Sequence, residues 1–172
     1  NLGIRYGYIE QLDDELLRIS KESFDALSFN CYALSPDHEK MNHALEISGL
    51  PMIIGEYHFG TVDRGLAQSL WQVNSQKERG DAFRYYTENA FAHRGLIGTG
   101  WFRWIDQNIN GRTDGENYNC GFIDVTDRPY PYMVDAAIKT AKSLYEIHSG
   151  TKTPFHQAPN AVGHSPIPDL WE

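Results

Sequence analysis

Three apolar runs, separated by amphipathic stretches of helical period, constrain this fold more than any other feature of the sequence. FDALSFNCYA at 24–33, PMIIG at 51–55 and LIGTGWFRWID at 96–106 are apolar through most of their length. Strands with one wet face alternate apolar and polar residues, whereas strands covered on both faces do not. Around the runs lie four helical patterns. QLDDELLRISKE at 11–22 places Leu12, Leu16 and Ile19 at helical spacing, with its acidic residues early, where a helix N-terminus favours them. SPDHEKMNHALEISG at 35–49 has Ser35 and Pro36 in capping positions, puts Met41, Ala44, Leu45 and Ser48 on one face and stops at Gly49. QKERGDAFRYYTENAFAHRG at 76–95 is the third pattern. PYMVDAAIKTAKSLYEIHSG at 131–150 is the fourth, with proline near its start and glycine at its end.

This order predicts an α/β fold of βα units, with parallel strands and flanking helices on both faces of the sheet. Two closures are compatible with it: a small doubly wound sheet, or part of a TIM (β/α)8 barrel, which takes about 250 residues. With 172 residues and three strands, this chain holds under half of such a barrel. A content of 41% hydrophobic and 13% aromatic residues is enough for one buried core. Residues 1–150 read as one portion of a domain and 151–172 as a Pro-rich surface tail, with Trp171 available to dock back.

The formal net charge of −8, without clustered Lys or Arg, argues against nucleic acid or an anionic membrane as partner. No apolar run approaches the about 18 residues of a membrane-spanning helix. The start at Asn1 rather than Met suggests a processed or truncated sequence, so the compartment stays open. Cys31 and Cys120 form no framework and read as free buried thiols.

In parallel α/β folds functional side chains collect at the carboxyl ends of the strands. Here those ends carry Asn30, Cys31 and Tyr32, then Glu56, Tyr57 and His58, then Trp101, Arg103, Trp104 and Asp106. Alternation along a strand pairs Asn30 with Tyr32, Glu56 with His58, and Trp104 with Asp106. A carboxylate floor with aromatic walls suits a sugar, whose apolar face stacks on rings while Asn, His and Asp take its hydroxyls. The matching chemistry is glycosidic hydrolysis with two carboxylates. Each residue also has a plainer role: Glu56 as an ion-pair partner of Arg103, His58 as a hydrogen-bonded structural histidine, Trp101 as core. Asp106, Asp114, Asp124 and Asp127 suit turns. His38 and His43 are five apart and miss the i, i+4 spacing of a zinc helix. With no phosphate loop and no Gly-x-Ser-x-Gly elbow, no metal or cofactor is expected.

GEYHFG after an apolar strand, WFRWIDQ at the next strand end and DGENYNCGFIDVTDRPYP downstream resemble the end of the barrel in clan A glycoside hydrolases. The likeness is greatest to families 42 and 50, the β-galactosidase and β-agarase group, and runs from about residue 24 to 148. It implies that the chain is the last three βα units, strands six to eight, of a TIM barrel. It further implies that Glu56 is the catalytic nucleophile of a retaining enzyme. Tyr32 would hydrogen-bond that carboxylate and keep it ionised, and Trp104 would stack beneath the sugar. Asn30, His58, Asp106 and Glu116 are expected as further substrate contacts. The family's general acid/base, a Glu usually after Asn, has no counterpart upstream of residue 24 and is expected to be missing from this chain.

The implied substrate is a β-galactoside or an agar-type galactan oligosaccharide. The alternative is a complete small α/β module that binds carbohydrate, or another partner, without catalysis. A flavodoxin-like enzyme is a third reading, with no cofactor signature behind it. Strands cut from a barrel leave two unpaired edges, so the barrel reading expects the isolated chain to be poorly stable, inactive or homo-oligomeric.

Overall fold

The three apolar runs form three strands of one parallel sheet, and a strand the sequence did not reveal adds a fourth. In the computed structural model, which describes residues 1–164, β1 is Arg5–Tyr6, β2 Leu27–Asn30, β3 Met52–Tyr57, β4 Trp71–Gln72 and β5 Leu96–Trp101. The sheet order is β1-β2-β3-β5, and every neighbouring pair in it is parallel. A two-residue strand shows no period of its own, which is why β1 escaped the sequence reading of three strands.

Helices α1 (Asp14–Ser23), α2 (His38–Ser48), α3 (Gln76–Phe91) and α4 (Pro131–His148) follow the predicted patterns with shifted ends. The first pattern divides into a 3-10 turn at Ile9–Gln11 and α1, because Asp13 caps the helix by accepting from the Leu16 amide. Asp37, rather than Ser35 or Pro36, caps α2 by accepting from the Glu39 and Lys40 amides. An aspartate oxygen satisfies these first-turn donors, which proline cannot do. Gly49 ends α2 in the left-handed region at φ 67°, and Pro131 opens α4.

One face of the sheet carries the core. Leu27, Phe29, Met52, Ile54 and Leu96 are fully buried together with Met41 of α2 and Ala82, Tyr86 and Ala90 of α3. Tyr57 stacks on Tyr86 with ring centroids 4.1 Å apart and bonds Thr87 through its hydroxyl. Burial of this order, about 1.5–3 kcal/mol for each large apolar side chain, is the main stabilising term.

Strand β3 departs from regular pairing at its end. Phe29 pairs with Ile54 but Asn30 pairs with Glu56, so Gly55 is an extra residue, a β-bulge. The register to β5 shifts at the same place, from Ile54–Thr99 to Tyr57–Trp101. Close backbone approach here requires glycine, since a Cβ on Gly100 would lie 2.6 Å from the Gly55 carbonyl oxygen.

Beyond β5 the chain leaves the sheet at Trp101, short of the predicted end at 106. The long 102–130 loop is tied down by buried Arg79, which donates to the Asn119 and Gly121 carbonyls and lies 4.4 Å from the Tyr130 ring centre.

Residues 151–164 cross the surface as a strap. The Phe155 amide donates to Glu88, and β6 (Val162–Gly163) pairs antiparallel with β4. Trp171 lies outside the described residues.

Candidate active site

The bulge at Gly55 decides where Glu56 points. Strict alternation from Met52 and Ile54 would send Glu56 to the helix-covered face, whereas the extra residue returns it to the opposite face. Bulges next to functional sites re-aim side chains in this way. Glu56 thus stands at the carboxyl end of β3, its side chain 19% exposed, in a cleft of about 330 Å³. That volume lies at the lower end of the about 300–1,000 Å³ usual for ligand sites.

Two other strands contribute to the surroundings of this carboxylate. From the β2 end, the Tyr32 hydroxyl donates to Oε2 at 2.8 Å and Asn30 Nδ2 donates to the same oxygen at 3.2 Å. From β1, an Arg5 guanidinium nitrogen lies 2.7 Å from Oε1. The ion-pair partner of Glu56 is therefore Arg5 and not Arg103. Burial, followed by the Glu56 charge, pushes the Tyr32 phenol well above its ordinary range, so it remains a proton donor to the carboxylate. Burial and then Glu56 likewise raise Tyr8, which lines the cleft from beside β1.

His58 lines the cleft with both ring nitrogens in contact with backbone groups. Its Nε2 accepts from the Leu70 amide at 3.1 Å and its Nδ1 lies 3.1 Å from the Phe102 carbonyl oxygen. With one nitrogen an acceptor, the other must carry the proton and donate to Phe102. Burial lowers its pKa to about 3, so the ring is neutral. His58 fixes two loops through their backbones.

Asp106 is bound up in the loop that follows β5. It is 4% exposed and accepts from the Asn119 side-chain amide, the Gly121 amide and the Tyr130 hydroxyl. Its acceptor capacity is spent folding the loop, away from the cleft. Trp104, expected beneath a sugar, is 68% exposed and stacked on Phe122 at 5.9 Å, outside the cleft lining. Alternation failed for both residues because β5 ends at Trp101. Trp101 itself packs among Tyr57, Phe83 and Phe122 in the core, and Phe102 is the aromatic of this segment that lines the cleft.

Glu116 does reach the cleft. Its Oε2 accepts from Gln107 Nε2 at 2.6 Å and lies 3.2 Å from Arg112. Glu56 and Glu116 are the carboxylates of the cleft among the described residues. The structure therefore brings together Asn30, Tyr32, Glu56, His58 and Glu116, and leaves Trp104 and Asp106 outside. Arg5, Tyr8, Phe102 and Arg112 were missed. For Arg5, Tyr8 and Arg112 the sequence signals were the paired aromatics of RYGYIE and the charge in NGRTDGEN, and Phe102 lay within the WFRWID strand end.

A hollow of similar size, about 310 Å³, lies between the 3-10 turn, α1 and α2. Lys40 pairs there with Glu10 and His43 lies 2.8 Å from Asp14, which leaves Glu39 as the one further charged side chain of its lining among the described residues. Among the described residues, no three His, Cys, Asp or Glu side chains converge as metal ligands.

No protein-family model matches the chain. It is 40% identical over 128 residues to β-agarase A of Vibrio sp. (strain JT0107), covering 70% of this chain and 13% of that protein. Over the same length it is 38% identical to β-agarase B of that strain. The chain thus spans about 13% of the length of the curated relatives it matches. Among solved structures, an exo-β-agarase superposes with a TM-score of 0.75 at 36% identity, covering 80% of this chain and 19% of that one. Over this part of the sequence, these similarities support a relationship to the glycoside hydrolases.

Proposed function

We propose that this chain forms the last strands of a (β/α)8 barrel in a retaining β-glycoside hydrolase acting on β-galactosidic linkages of agar-type galactans. The observation that carries the reading is the Glu56 carboxylate at a strand's carboxyl end, held by Tyr32, Asn30 and Arg5 in an open cleft. Similarity to β-agarases supplies the substrate class. In a barrel, β2, β3 and β5 would be strands six, seven and eight, and β1 the fifth.

Glu56 attacks the anomeric carbon as the glycosidic C–O bond breaks, giving a glycosyl ester on the enzyme. The departing oxygen takes its proton from a general acid outside this chain, and the same group then deprotonates the water that releases the sugar. Tyr32 and Asn30 keep one carboxylate oxygen occupied, so the carboxylate is aimed before substrate arrives. Glu116, steadied by Gln107 and Arg112, accepts a sugar hydroxyl.

The test is Glu56→Gln in the intact native protein. Turnover of an agaro-oligosaccharide is lost while binding of the same sugar, read by calorimetry, stays near normal. A variant that retains turnover overturns the assignment.

A further inference from the structure

The Tyr32 hydroxyl and the Asn30 amide both donate to one oxygen of Glu56, Oε2. Anchoring one oxygen alone leaves the carboxylate plane poorly fixed, because the terminal torsion of a glutamate is broad and roughly two-fold. The other oxygen, Oε1, meets Arg5 at 2.7 Å. Arg5 belongs to β1, one strand beyond β2, where it pairs in register with Ser28. Its stem reaches Glu56 by passing over Gly55. A Cβ at Gly55 would stand 2.4 Å from Arg5 Cδ and 3.0 Å from Cγ. Both are mid-stem carbons rather than a loose chain end, so any side chain at 55 would displace the arginine stem. The glycine that forms the bulge is therefore also the notch through which the guanidinium arrives.

We propose that Arg5 is a positioning residue, seated in the Gly55 notch, that fixes the orientation of the Glu56 carboxylate for attack; this rests on the reading of Glu56 as nucleophile. A planar guanidinium on one oxygen and two donors on the other hold the carboxylate at both oxygens. Lysine, a point charge on a flexible stem, sets no such plane. The Arg5 side chain is half exposed, so its site is open to a soluble guanidinium ion.

The experiment uses the intact native protein and an agaro-oligosaccharide. Misorientation of a reacting group costs about 100-fold in rate, and Arg5→Ala is expected to lose that much in kcat. KM should stay within about threefold, as for an interaction realised in the transition state. Guanidinium ion at a sub-denaturing concentration restores part of the lost kcat, and Arg5→Lys recovers less than guanidinium does. Gly55→Ala provides a second route. It lowers kcat when Arg5 is present and costs less in the Arg5→Ala background, where the 2.4 Å and 3.0 Å clashes with the arginine stem are gone and only Asn30 Oδ1 remains close, at 3.3 Å.

Unchanged kcat in Arg5→Ala overturns the proposal. So does a rise in KM alone, which would make Arg5 a sugar contact, and so do strictly additive effects of the two substitutions. If Arg5→Ala does not fold, as read by the loss of a cooperative melt, the decision passes to Gly55→Ala and Arg5→Lys by the same kcat criterion. Glu56→Gln is measured alongside: activity in that variant removes the nucleophile reading itself. An inactive Glu56→Gln beside an unaffected Arg5→Ala removes only the role of Arg5.

Discussion

The Tyr32 hydroxyl donates to Glu56 Oε2 at 2.8 Å across the gap between two neighbouring strand ends. Burial and the adjacent carboxylate both raise the phenol, so it stays protonated at neutral pH. Tyr32→Phe keeps the ring and deletes only this donor. A hydrogen bond to a charged group contributes about 1.5–3 kcal/mol. On the proposed reading of Glu56 as nucleophile, loss of this bond is expected to lower kcat/KM by about 10- to 100-fold. Steady-state kinetics on an agaro-oligosaccharide check this, and an unaltered kcat/KM would show the bond to be incidental.

His58 gives the fold a pH dependence of known sign. Its folded-state pKa is lowered from 6.5 to about 3 by burial. The unfolded chain therefore binds a proton at this site between those values while the folded chain does not, and protonation favours unfolding. Stability from this group is fully present above about pH 6.5 and is lost as pH falls towards 3, at up to about 1.4 kcal/mol per pH unit. Urea unfolding between about pH 4 and 7 should show a shallower dependence of stability on pH in His58→Asn than in the parent. Equal slopes would mean that the ring is not buried as a neutral base.

Asp106 holds the 102–130 loop together from outside the cleft lining. Its removal in Asp106→Ala takes the acceptor from one hydrogen of the Asn119 side-chain amide, from the Gly121 amide and from the Tyr130 hydroxyl, all buried, while Asn119 keeps its bond to Tyr130. Each orphaned donor costs about 1–3 kcal/mol, so a total loss of about 3 kcal/mol or more is expected from chemical denaturation. Asp106→Asn keeps one acceptor oxygen and loses less. An Asp106→Asn protein with full stability but greatly raised KM would return this residue to the sugar.

How much of this was legible in the sequence depended on length and parity. The apolar PMIIG run marked β3, and the lone Glu56 after it marked the strand end. Asn30 followed from its place at the end of β2, whereas Tyr32 lies beyond that end and its bond to Glu56 was reached through the family resemblance. The direction of Glu56 was not legible, because it depends on a bulge, and one glycine between Ile54 and Glu56 does not announce which register its neighbours keep. Trp104 and Asp106 were misplaced for the same reason in reverse, since alternation was carried past the end of β5 at Trp101. Arg5 was hidden because β1 has two residues and no period.

The strap at 151–164 acts on the cleft from outside. The His164 amide donates to the Leu70 carbonyl at 2.7 Å, while the Leu70 amide donates to His58. The strap thus holds the segment that holds the histidine. At its other end, Phe155 donates its amide to buried Glu88, accepts from the Asn89 side chain and lies under Arg84 at 4.4 Å. A chain ending at Gly150 loses all of these contacts at once. Glu88 keeps Arg84 and Thr140 but gives up one donor, a loss of about 1–3 kcal/mol, so the urea midpoint falls. Local opening near the cleft should exceed the global loss, because Leu70 gives up its carbonyl's partner directly while the sheet interior gives up none. Hydrogen exchange at the Leu70 amide measures this and should accelerate more than exchange at Leu27 or Ile54, deep in the sheet. Equal acceleration at all three amides would mean that the strap stabilises the fold as a whole and does not act on the cleft.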